Sequence, residues 1–386
     1  MAKALNKIDM MRALIGTPSI SSTNPSHDQS NLEIISTLAN WLENLGFSVT
    51  VQVLPGQAKK ANLIATLGEI RADSEGLVLS GHTDTVPYDD TNWLQDPFKL
   101  TEKDGNFYGL GSTDMKSFFA LALDVASEFS HSKLKQPLTI LATADEESTM
   151  TGAQALLREQ LQHAKYAIIG EPTDLTPVHM HKGVMMESLV VSGKAGHSSD
   201  PSLGASATEG MQKILNELLL WRAELQQTYQ NPAFTVNVPT LNIGSIHGGD
   251  NPNRICAHCE TQIDIRPLPG MNINSLRADM QTRLKNVLND YVNLSFQHRP
   301  LFNGVAPFET AKDAKLTQLT EQLSGQSAIA VAFGTEAPYL TSLGLETIII
   351  GPGSINQAHQ PNEFIPQNQI NPYCNFLRKV IQEICL

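Results

Sequence analysis

The sequence predicts an α/β protein, in which helices sandwich a mixed, mostly parallel sheet and a smaller α+β domain interrupts the chain. Three observations predict this fold class. Up to about residue 180, apolar strand-like runs alternate with helical patterns, which is typical of a sheet covered by helices. Near Lys182 the strand patterns become half-exposed, and after about residue 298 the first pattern resumes.

The first segment alternates regularly between helices and strands. Its helical runs have apolar residues three and four positions apart, whereas its strands are short, continuous apolar runs. Residues 1–16 are predicted to form an amphipathic helix rather than a signal peptide, because Asp9 and Arg12 interrupt the apolar positions. The elements predicted after it are helix 31–47, strand 77–80, helix 115–129, strand 137–144, helix 153–162 and strand 166–170.

The second segment has the order β-α-β-β-α-β, which is typical of a ferredoxin-like domain. Its predicted elements are strand 185–193, helix 204–230, strands 234–246 and 254–269, helix 275–291 and strand 292–298. The α/β pattern then resumes with helix 316–325 and strand 346–353. We therefore expect one domain from residues 1–181 and 299–386, and an inserted domain from residues 182–298.

Composition limits the classes of function. A chain of 386 residues has room for more than one domain. Its formal charge of −12 argues against nucleic acid or an anionic membrane as the main partner. No apolar stretch approaches the roughly 18 residues expected of a membrane span. Four cysteines are too few for a disulfide scaffold, so a cytoplasmic location is expected.

Potential metal ligands follow four of the predicted strands, and one more precedes a helix. In open α/β sheets, functional sites collect beyond the carboxyl ends of the strands. Alone, each residue has an ordinary explanation: a histidine there is commonly a hydrogen-bonded loop residue, and Asp114 is a candidate helix N-cap. The set is His82 and Asp84, Asp114, Asp145 with Glu146 and Glu147, Glu171, and His359.

Together these residues predict a metal centre. Three consecutive acids, 145–147, repel one another and are costly to desolvate unless a positive charge lies nearby. Two histidines and several carboxylates suit zinc or cobalt. Because there are more carboxylates than one ion needs, the pattern favours two ions that share a bridging carboxylate.

Six stretches resemble the di-zinc amidohydrolase family that includes acetylornithine deacetylase, succinyl-diaminopimelate desuccinylase, aminoacylase and zinc carboxypeptidases. Their order and the inserted domain also match, and the resemblance implies a zinc-peptidase-like catalytic domain with an inserted dimerisation and lid domain. Ser117 departs from the pattern, since many members have glycine after DMK, but serine should be tolerated where a helix begins. The stretches are SGHTDTVP (80–87), GLGSTDMK (109–116), DEES (145–148), GEPT (170–173), GHSSDP (196–201) and AHQPNE (358–363).

The resemblance implies a role for each residue of the metal site. One metal ion is expected on His82 and Glu171, the other on Glu147 and His359, with Asp114 bridging them. Asp84 is expected to accept a hydrogen bond from His82, and their spacing supports this because residues two apart on a strand face the same side. Glu146 is expected to be the general base that takes a proton from metal-activated water, and Asp145 to hold the turn.

His197 lies in the predicted inserted domain. One interpretation is a turn residue stabilised by the neighbouring hydroxyl groups of Ser198 and Ser199. The resemblance implies instead that His197 reaches the site of a second subunit and stabilises the tetrahedral oxyanion. That role requires a homodimer formed through the inserted domain and a closure that excludes water.

Other polar residues are candidates for binding the substrate. Arg254 has the geometry to pair with a carboxylate, although a surface arginine on a strand edge is the alternative, and Asn253 is expected to support it. Glu336 offers a partner for a substrate amine, with a helix cap as the alternative. Gly353 and Ser354 are expected to shape the pocket wall near His359.

These observations predict a cytoplasmic, homodimeric metalloenzyme with two divalent ions, Zn²⁺ or Co²⁺, that hydrolyses an N-acyl amino acid. From the resemblance, the expected substrate is N2-acetyl-L-ornithine, giving ornithine and acetate in arginine biosynthesis. One alternative is a related deacylase, such as one for succinyl-diaminopimelate, or a di- or carboxypeptidase. A metal-binding module without catalysis is another. A nucleotide-dependent enzyme is disfavoured because no phosphate-binding motif is present.

Overall fold

The computed structural model describes residues 6–88, 91–291 and 293–386. The helices are α1 (Lys7–Ile15), α2 (Leu32–Asn44), α3 (Lys116–Ala126), α4 (Thr151–Gln154), α5 (Arg158–Leu161), α6 (Ala207–Thr228), α7 (Ile273–Val287), α8 (Lys315–Ser324), α9 (Ala337–Ser342) and α10 (Gln367–Cys385). Strands β1 to β8 are Ser48–Leu54, Gln57–Leu67, Gly76–His82, Thr101–Lys103, Asn106–Tyr108, Leu138–Thr143, Ala164–Ile169 and Val178–His181. Strands β9 to β16 are Met185–Ser192, Thr240–Gly248, His258–Arg266, Ser295–Pro300, Phe308–Glu309, Ile329–Val331, Glu346–Ile349 and Phe364–Pro366.

The chain divides into two compact units. The first contains the described residues of Met1–His179, Thr310–Ile329 and Thr335–Leu386. The second contains those of Met180–Glu309 and Ala330–Gly334. A role of the second unit in dimerisation or as a lid stays a prediction.

A mixed sheet forms the centre of the first unit, with its strands in the order β1-β2-β6-β3-β7-β15, and Val178, at the start of β8, pairs with β15. The pairs β6–β3, β3–β7 and β7–β15 are parallel, whereas the pairs nearer both edges are antiparallel. The four central strands are buried along nearly their whole length. This confirms the predicted fold class, with the parallel pairing confined to the middle of the sheet.

Helix α3 packs tightly beneath the carboxyl ends of these strands. Ten of its eleven residues are buried, as expected of a helix in a core, and the side chains of Phe118 and Phe119 are 1% and 0% exposed. A Cβ atom on Gly170, which follows β7, would lie 2.0 Å from the ring of Phe118. Glycine is therefore required there for the helix to approach the sheet.

The second unit is a four-stranded antiparallel sheet with two helices. Its strands lie in the order β10-β11-β9-β12, and along the chain they alternate with α6 and α7 in the predicted order β-α-β-β-α-β. The apolar side chains of the sheet and both helices form a separate core. Strand β10 lies at one edge of the sheet.

Some elements were not predicted. The hairpin of β1 and β2 is not evident from the sequence, because Lys59 and Lys60 interrupt the apolar pattern of β2. In the structure, Lys60 is only 3% exposed. Helix α10 contains Pro372, a residue that normally ends a helix. Burial of one apolar face of α10 against the core outweighs that local preference. In the described part of the chain, no helix is long and apolar enough to cross a bilayer.

Candidate metal centre

Neighbouring parallel strands bring the predicted ligands to one edge of the sheet. β3 ends at His82, β6 ends two residues before Asp145, and β7 ends two residues before Glu171. β3 lies between β6 and β7, so the strand order reverses there. Ligand sites in α/β sheets form beyond the carboxyl ends of strands at such a reversal. His82, Glu171 and the main chain that leads into residues 145–147 therefore meet at this edge.

His82 is fully buried between acidic groups. Its Nε2 atom lies 3.0 Å from Oδ1 of Asp114 and 3.7 Å from Oε1 of Glu171. Its Nδ1 atom lies 3.1 Å from the main-chain carbonyl oxygen of Asp84. Since a carbonyl oxygen only accepts hydrogen bonds, Nδ1 carries the proton and Nε2 faces the acids.

Asp84 supports the site in a different way from the one expected. Its carboxylate oxygen Oδ1 is 3.6 Å from Nδ1 of His82, farther than its own main-chain oxygen. The carboxylate instead accepts hydrogen bonds from the backbone N–H groups of Glu146, at 3.3 Å, and Glu147, at 3.0 Å. Asp84 thus orients the imidazole of His82 through its main-chain oxygen. It orients the acidic turn, residues 145–147, through its carboxylate.

The carboxylate of Asp114 lies between two histidines. Nε2 of His359 is 3.5 Å from Oδ2 of Asp114 and 2.8 Å from Oε2 of Glu147. The oxygen of Asp114 that faces His82 is the other one, Oδ1. Asp114 is not the N-cap of α3, which is Met115. Each of its oxygens faces a different histidine, which is the arrangement a bridging ligand requires.

Two groups of side chains offer ligand atoms close enough together to share a metal ion. In each group these atoms all lie within 4.8 Å of one another: His82 with Asp114 and Glu147, and His82 with Glu146 and Glu171. Imidazole nitrogens and carboxylate oxygens suit zinc and related divalent ions. The donor set therefore fits a metal centre.

The charges in the cluster also call for a cation. Burial, together with neighbouring acids, raises the pKa of Glu146 and Glu171 well above the usual range. Burial opposes the charged form of His82, but Asp114 and the surrounding carboxylates raise its pKa well above 6.5. Hydrogen bonds to Asp114 and Glu147 raise the pKa of His359 to about 11. In the absence of a metal ion, protons on the carboxyl groups and on the histidines offset the negative charge of the cluster. Bound metal cations would offset this charge instead.

Asp145 makes the contacts expected of a residue that holds the acidic turn in place. Its backbone is left-handed, with φ of 59°. Its Oδ1 atom accepts a hydrogen bond from Ser21 at 3.0 Å and lies 2.7 Å from Nζ of the buried Lys60. Lys60 is also 2.7 Å from Asp28. The first of the three acids is thus compensated by a lysine, while Glu146 and Glu147 face the histidines.

Glu336 is 1% exposed and belongs to the same cluster. Its charge acts on both Glu146 and Glu171, and burial raises its own pKa to about 7. It occupies the N-cap position of α9, but its side chain makes no capping hydrogen bond. Both carboxylate oxygens lack a hydrogen-bond donor among the described residues. The nearby hydroxyl group of Thr143 lowers the pKa of Glu336, but it donates its proton to the carbonyl oxygen of Gly81 and not to the carboxylate.

Gly353 and Ser354 lie on the loop between β15 and His359. Gly353 has φ of +83°, and a Cβ atom there would lie 2.1 Å from Oγ1 of Thr113, the residue before Asp114. Ser354 forms an isolated bridge with Thr173, in the loop after Glu171. Both residues thus pack against the loops that carry the candidate ligands.

The remaining predicted site residues form a group of their own in the second unit. His197 and Arg254 face each other in an isolated β-bridge, and the main-chain oxygen of Asn253 accepts a hydrogen bond from the N–H of Ser198. His197 is exposed, and its Nδ1 atom accepts a hydrogen bond from the N–H of Ser199 at 3.2 Å. Arg254 is exposed and pairs with Asp250 at 2.7 Å. Arg254 and Ser198 border a cavity of about 770 Å³ within this unit.

Three buried charged residues at the site were not predicted. They are Lys60, Lys116 and Glu363, each exposed by 3% or less. Nζ of Lys116 donates to the carbonyl oxygen of Thr17 at 2.8 Å, and burial lowers its pKa to about 7. Lys116 and Glu363 end two of the quoted stretches, so the only signal for them was their place in those motifs.

The chain belongs to the family described as Peptidase family M20/M25/M40, which it matches over residues 78–383. It is 46% identical over 388 aligned residues to an acetylornithine deacetylase from Pasteurella multocida, with 100% of each chain covered. It is 45% identical to an acetylornithine deacetylase from Pectobacterium carotovorum, covering 98% of this chain and 97% of that one.

Solved structures share the fold at low sequence identity. An aminopeptidase, PepT, from Bacillus cereus superposes with a TM-score of 0.76 at 20% identity, covering 98% of both chains. The YXEP protein of Bacillus subtilis, described as a dinuclear metal-binding peptidase of the M20 family, superposes with a TM-score of 0.65 at 15% identity, covering 97% of this chain and 98% of that one. These similarities concern the fold.

Proposed function

We propose that this protein is a di-metal amide hydrolase that removes the acetyl group from N2-acetyl-L-ornithine, giving L-ornithine and acetate, a step of arginine biosynthesis. One observation carries the reaction type: Glu146 and the five candidate ligands meet at the carboxyl ends of β3, β6 and β7. The substrate is inferred from the two deacetylase relatives, which match this chain over nearly its whole length.

The ligand assignment is the one that the resemblance implies, and the distances between side chains support it. His82 and Glu171 would hold one ion, His359 and Glu147 the other, and Asp114 would bridge them. Zn²⁺ and Co²⁺ both suit these ligands. Two such ions would lower the pKa of a water molecule and polarise the scissile carbonyl group.

Glu146 is the proposed general base. It is in the same group as His82 and Glu171 but is the one acid of that group not needed as a ligand. Its carboxylate takes the proton of the attacking water and delivers it to the leaving amine nitrogen. A raised pKa favours this role, because the group must both accept and release a proton. Asp84 acts indirectly, since it holds the His82 ring and the N–H groups of residues 146 and 147.

Glu336 is the proposed partner of the substrate's side-chain ammonium group. A buried carboxylate with no hydrogen-bond donor is costly, and a cationic group would compensate it. We assign the substrate carboxylate to Arg254, with Asn253 supporting the loop. Gly353 and Ser354 form part of the pocket wall.

His197 is the proposed stabiliser of the oxyanion in the site of a second subunit, which makes the active enzyme a homodimer joined through the second unit. Support comes from apolar surface on that unit: Leu219, Leu220 and Ile246 are 41%, 52% and 51% exposed. Leu219 and Ile246 also line a groove of about 340 Å³ between α6 and the edge strand β10. Sedimentation should give twice the chain mass, and Leu219→Asp should shift it towards the monomer.

The substrate is tested by comparing kcat/KM for a panel of pure amides with metal-loaded protein. We expect N2-acetyl-L-ornithine to be cleaved at least about tenfold more efficiently than succinyl-diaminopimelate or a dipeptide, because a polar site rejects a substrate that leaves its buried groups unpaired. Faster cleavage of either rival would contradict the substrate assignment and retain the reaction type. Metal binding without turnover of any amide would favour a non-catalytic module. The four unpaired cysteines are consistent with the cytoplasm, where we place the enzyme.

A further inference from the structure

Glu363 joins two loops that carry proposed ligands. It lies four residues after His359 and directly before β16, whose Phe364 pairs with Tyr108 of β5. Its main-chain oxygen accepts a hydrogen bond from the N–H of Gly109 at 3.0 Å, which extends this pairing. The loop that starts at Gly109 leads to Asp114.

The side chain of Glu363 reaches into that loop. Its Oε2 atom accepts a hydrogen bond from the N–H of Gly111 at 2.9 Å. Its Oε1 atom accepts two more, from Thr113 at 2.7 Å and from Asp114 at 2.9 Å. The residue is 2% exposed. All three contacts are N–H donors, so both carboxylate oxygens of Glu363 act here as hydrogen-bond acceptors.

The loop depends on these contacts because it has no regular structure of its own. Buried N–H groups outside helices and sheets need acceptors from elsewhere, and Glu363 supplies them for three residues of a six-residue segment. Gly111 adopts φ of +80°, and a Cβ atom there would lie 2.9 Å from Thr85. The hydroxyl of Thr113 donates to the main-chain oxygen of Phe364 at 2.9 Å, a second link between the same two segments.

We propose that Glu363 is a positioning residue that fixes the carboxylate of Asp114 relative to His359, so that both can serve the same pair of metal ions. This rests on the proposed ligand set and adds to it a residue that touches neither metal nor substrate. Removing a group that orients a ligand typically weakens metal binding roughly 10- to 100-fold.

The test measures metal affinity directly, by competition between the metal-free protein and a chromogenic zinc chelator. Glu363→Gln keeps the shape of the side chain but turns an NH₂ group towards at least one N–H donor. We expect it to bind zinc roughly 10- to 100-fold more weakly than wild type. Glu187→Gln is the matched control: Glu187 is 0% exposed and pairs with Arg277 and His298 in the second unit. This control should lower the unfolding midpoint and leave the zinc affinity unchanged.

Asp114→Asn separates this proposal from the proposed centre. If Asp114→Asn weakens zinc binding and Glu363→Gln does not, the positioning role is wrong and the centre stands. If Asp114→Asn binds zinc like wild type, the centre itself is wrong. Equal weakening by Glu187→Gln would also overturn the proposal, because it would indicate general loosening. Should Glu363→Gln not fold, Glu363→Asp retains the charge at a shorter reach, and wild-type affinity in that variant would overturn the proposal.

Discussion

Nε2 of His82 lies 3.0 Å from Oδ1 of Asp114, with both groups buried. The other oxygen of the same carboxylate lies 3.5 Å from Nε2 of His359. In each contact, a proton on Nε2 lies where a metal ion bound to that nitrogen atom would lie. Metal binding and proton release are therefore coupled at this site.

The first prediction concerns that coupling. Hydrogen bonds to Asp114 and Glu147 raise the pKa of His359 to about 11, so at pH 8 this ring is protonated in the metal-free protein, and the pKa of His82 is shifted in the same direction. Zinc binds the neutral rings, so binding should release protons, and affinity should rise as the pH increases from 8 towards 10. Calorimetric titrations at pH 8 in buffers of different ionisation enthalpy should show net release. His359→Ala should release fewer protons. A binding enthalpy independent of the buffer would contradict the charge states described above.

The second prediction concerns Glu336. Glu336→Gln removes the charge that we assign to the substrate ammonium group. A hydrogen bond to a charged group contributes about 1.5–3 kcal/mol, so kcat/KM for N2-acetyl-L-ornithine should fall roughly 10- to 150-fold. N-acetyl-L-norvaline has a side chain without the amine, and its cleavage should change little. An equal loss of kcat/KM for both amides, at unchanged metal content, would show that Glu336 does not bind the side-chain ammonium group.

The third prediction concerns Lys60. Nζ of this lysine lies 2.7 Å from carboxylate oxygens of both Asp145 and Asp28. Lys60→Met keeps the apolar stem but leaves Asp145 buried without its partner, which should lower the free energy of unfolding by about 3–5 kcal/mol. Lys60→Arg should retain most of the free energy of unfolding, because it keeps the positive charge. Denaturant unfolding of the two variants measures the difference, and a Lys60→Met protein as stable as wild type would show that the pair does not hold the turn.

The fourth prediction concerns Ser117, the residue that follows the DMK stretch. Its Oγ atom is buried in α3 and has no hydrogen-bond partner among the described residues. Ser117→Ala should therefore raise the free energy of unfolding by about 1 kcal/mol, because it removes an unpaired polar group and introduces a better helix former. The exposed Ser132→Ala serves as control and should change stability by no more than about 0.5 kcal/mol. A loss of stability in Ser117→Ala would mean that the hydroxyl is paired.

The sequence was most informative where chemistry and periodicity coincide. Apolar runs that lead into His82, Asp145 or Glu171 locate the carboxyl ends of strands. Because the carboxyl ends of parallel strands lie at the same edge of a sheet, these residues come together whatever the detailed packing. The same reasoning could not tell which oxygen of Asp84 contacts His82, because alternation gives the side of a strand and not the distance between atoms.

Other features depend on tertiary packing that a local pattern does not carry. Lys60 and Glu363 look like surface charges until the chain folds and buries them against Asp145 and the Asp114 loop. Pro372 argues locally against the helix that contains it. His197 and Arg254 lie in the second unit, whereas the candidate metal ligands lie in the first, so the roles of both residues stay predictions.

The most direct test of the central claim is hydrolysis of N2-acetyl-L-ornithine by zinc-loaded wild type and Glu146→Gln, with the metal content of each protein measured alongside. Loss of a general base typically costs about 10²- to 10⁴-fold in rate. We predict cleavage to acetate and ornithine by wild type, and a loss of kcat in that range for the variant at unchanged metal content. A variant that retains both its metal and wild-type turnover would contradict the assignment of Glu146 as the base.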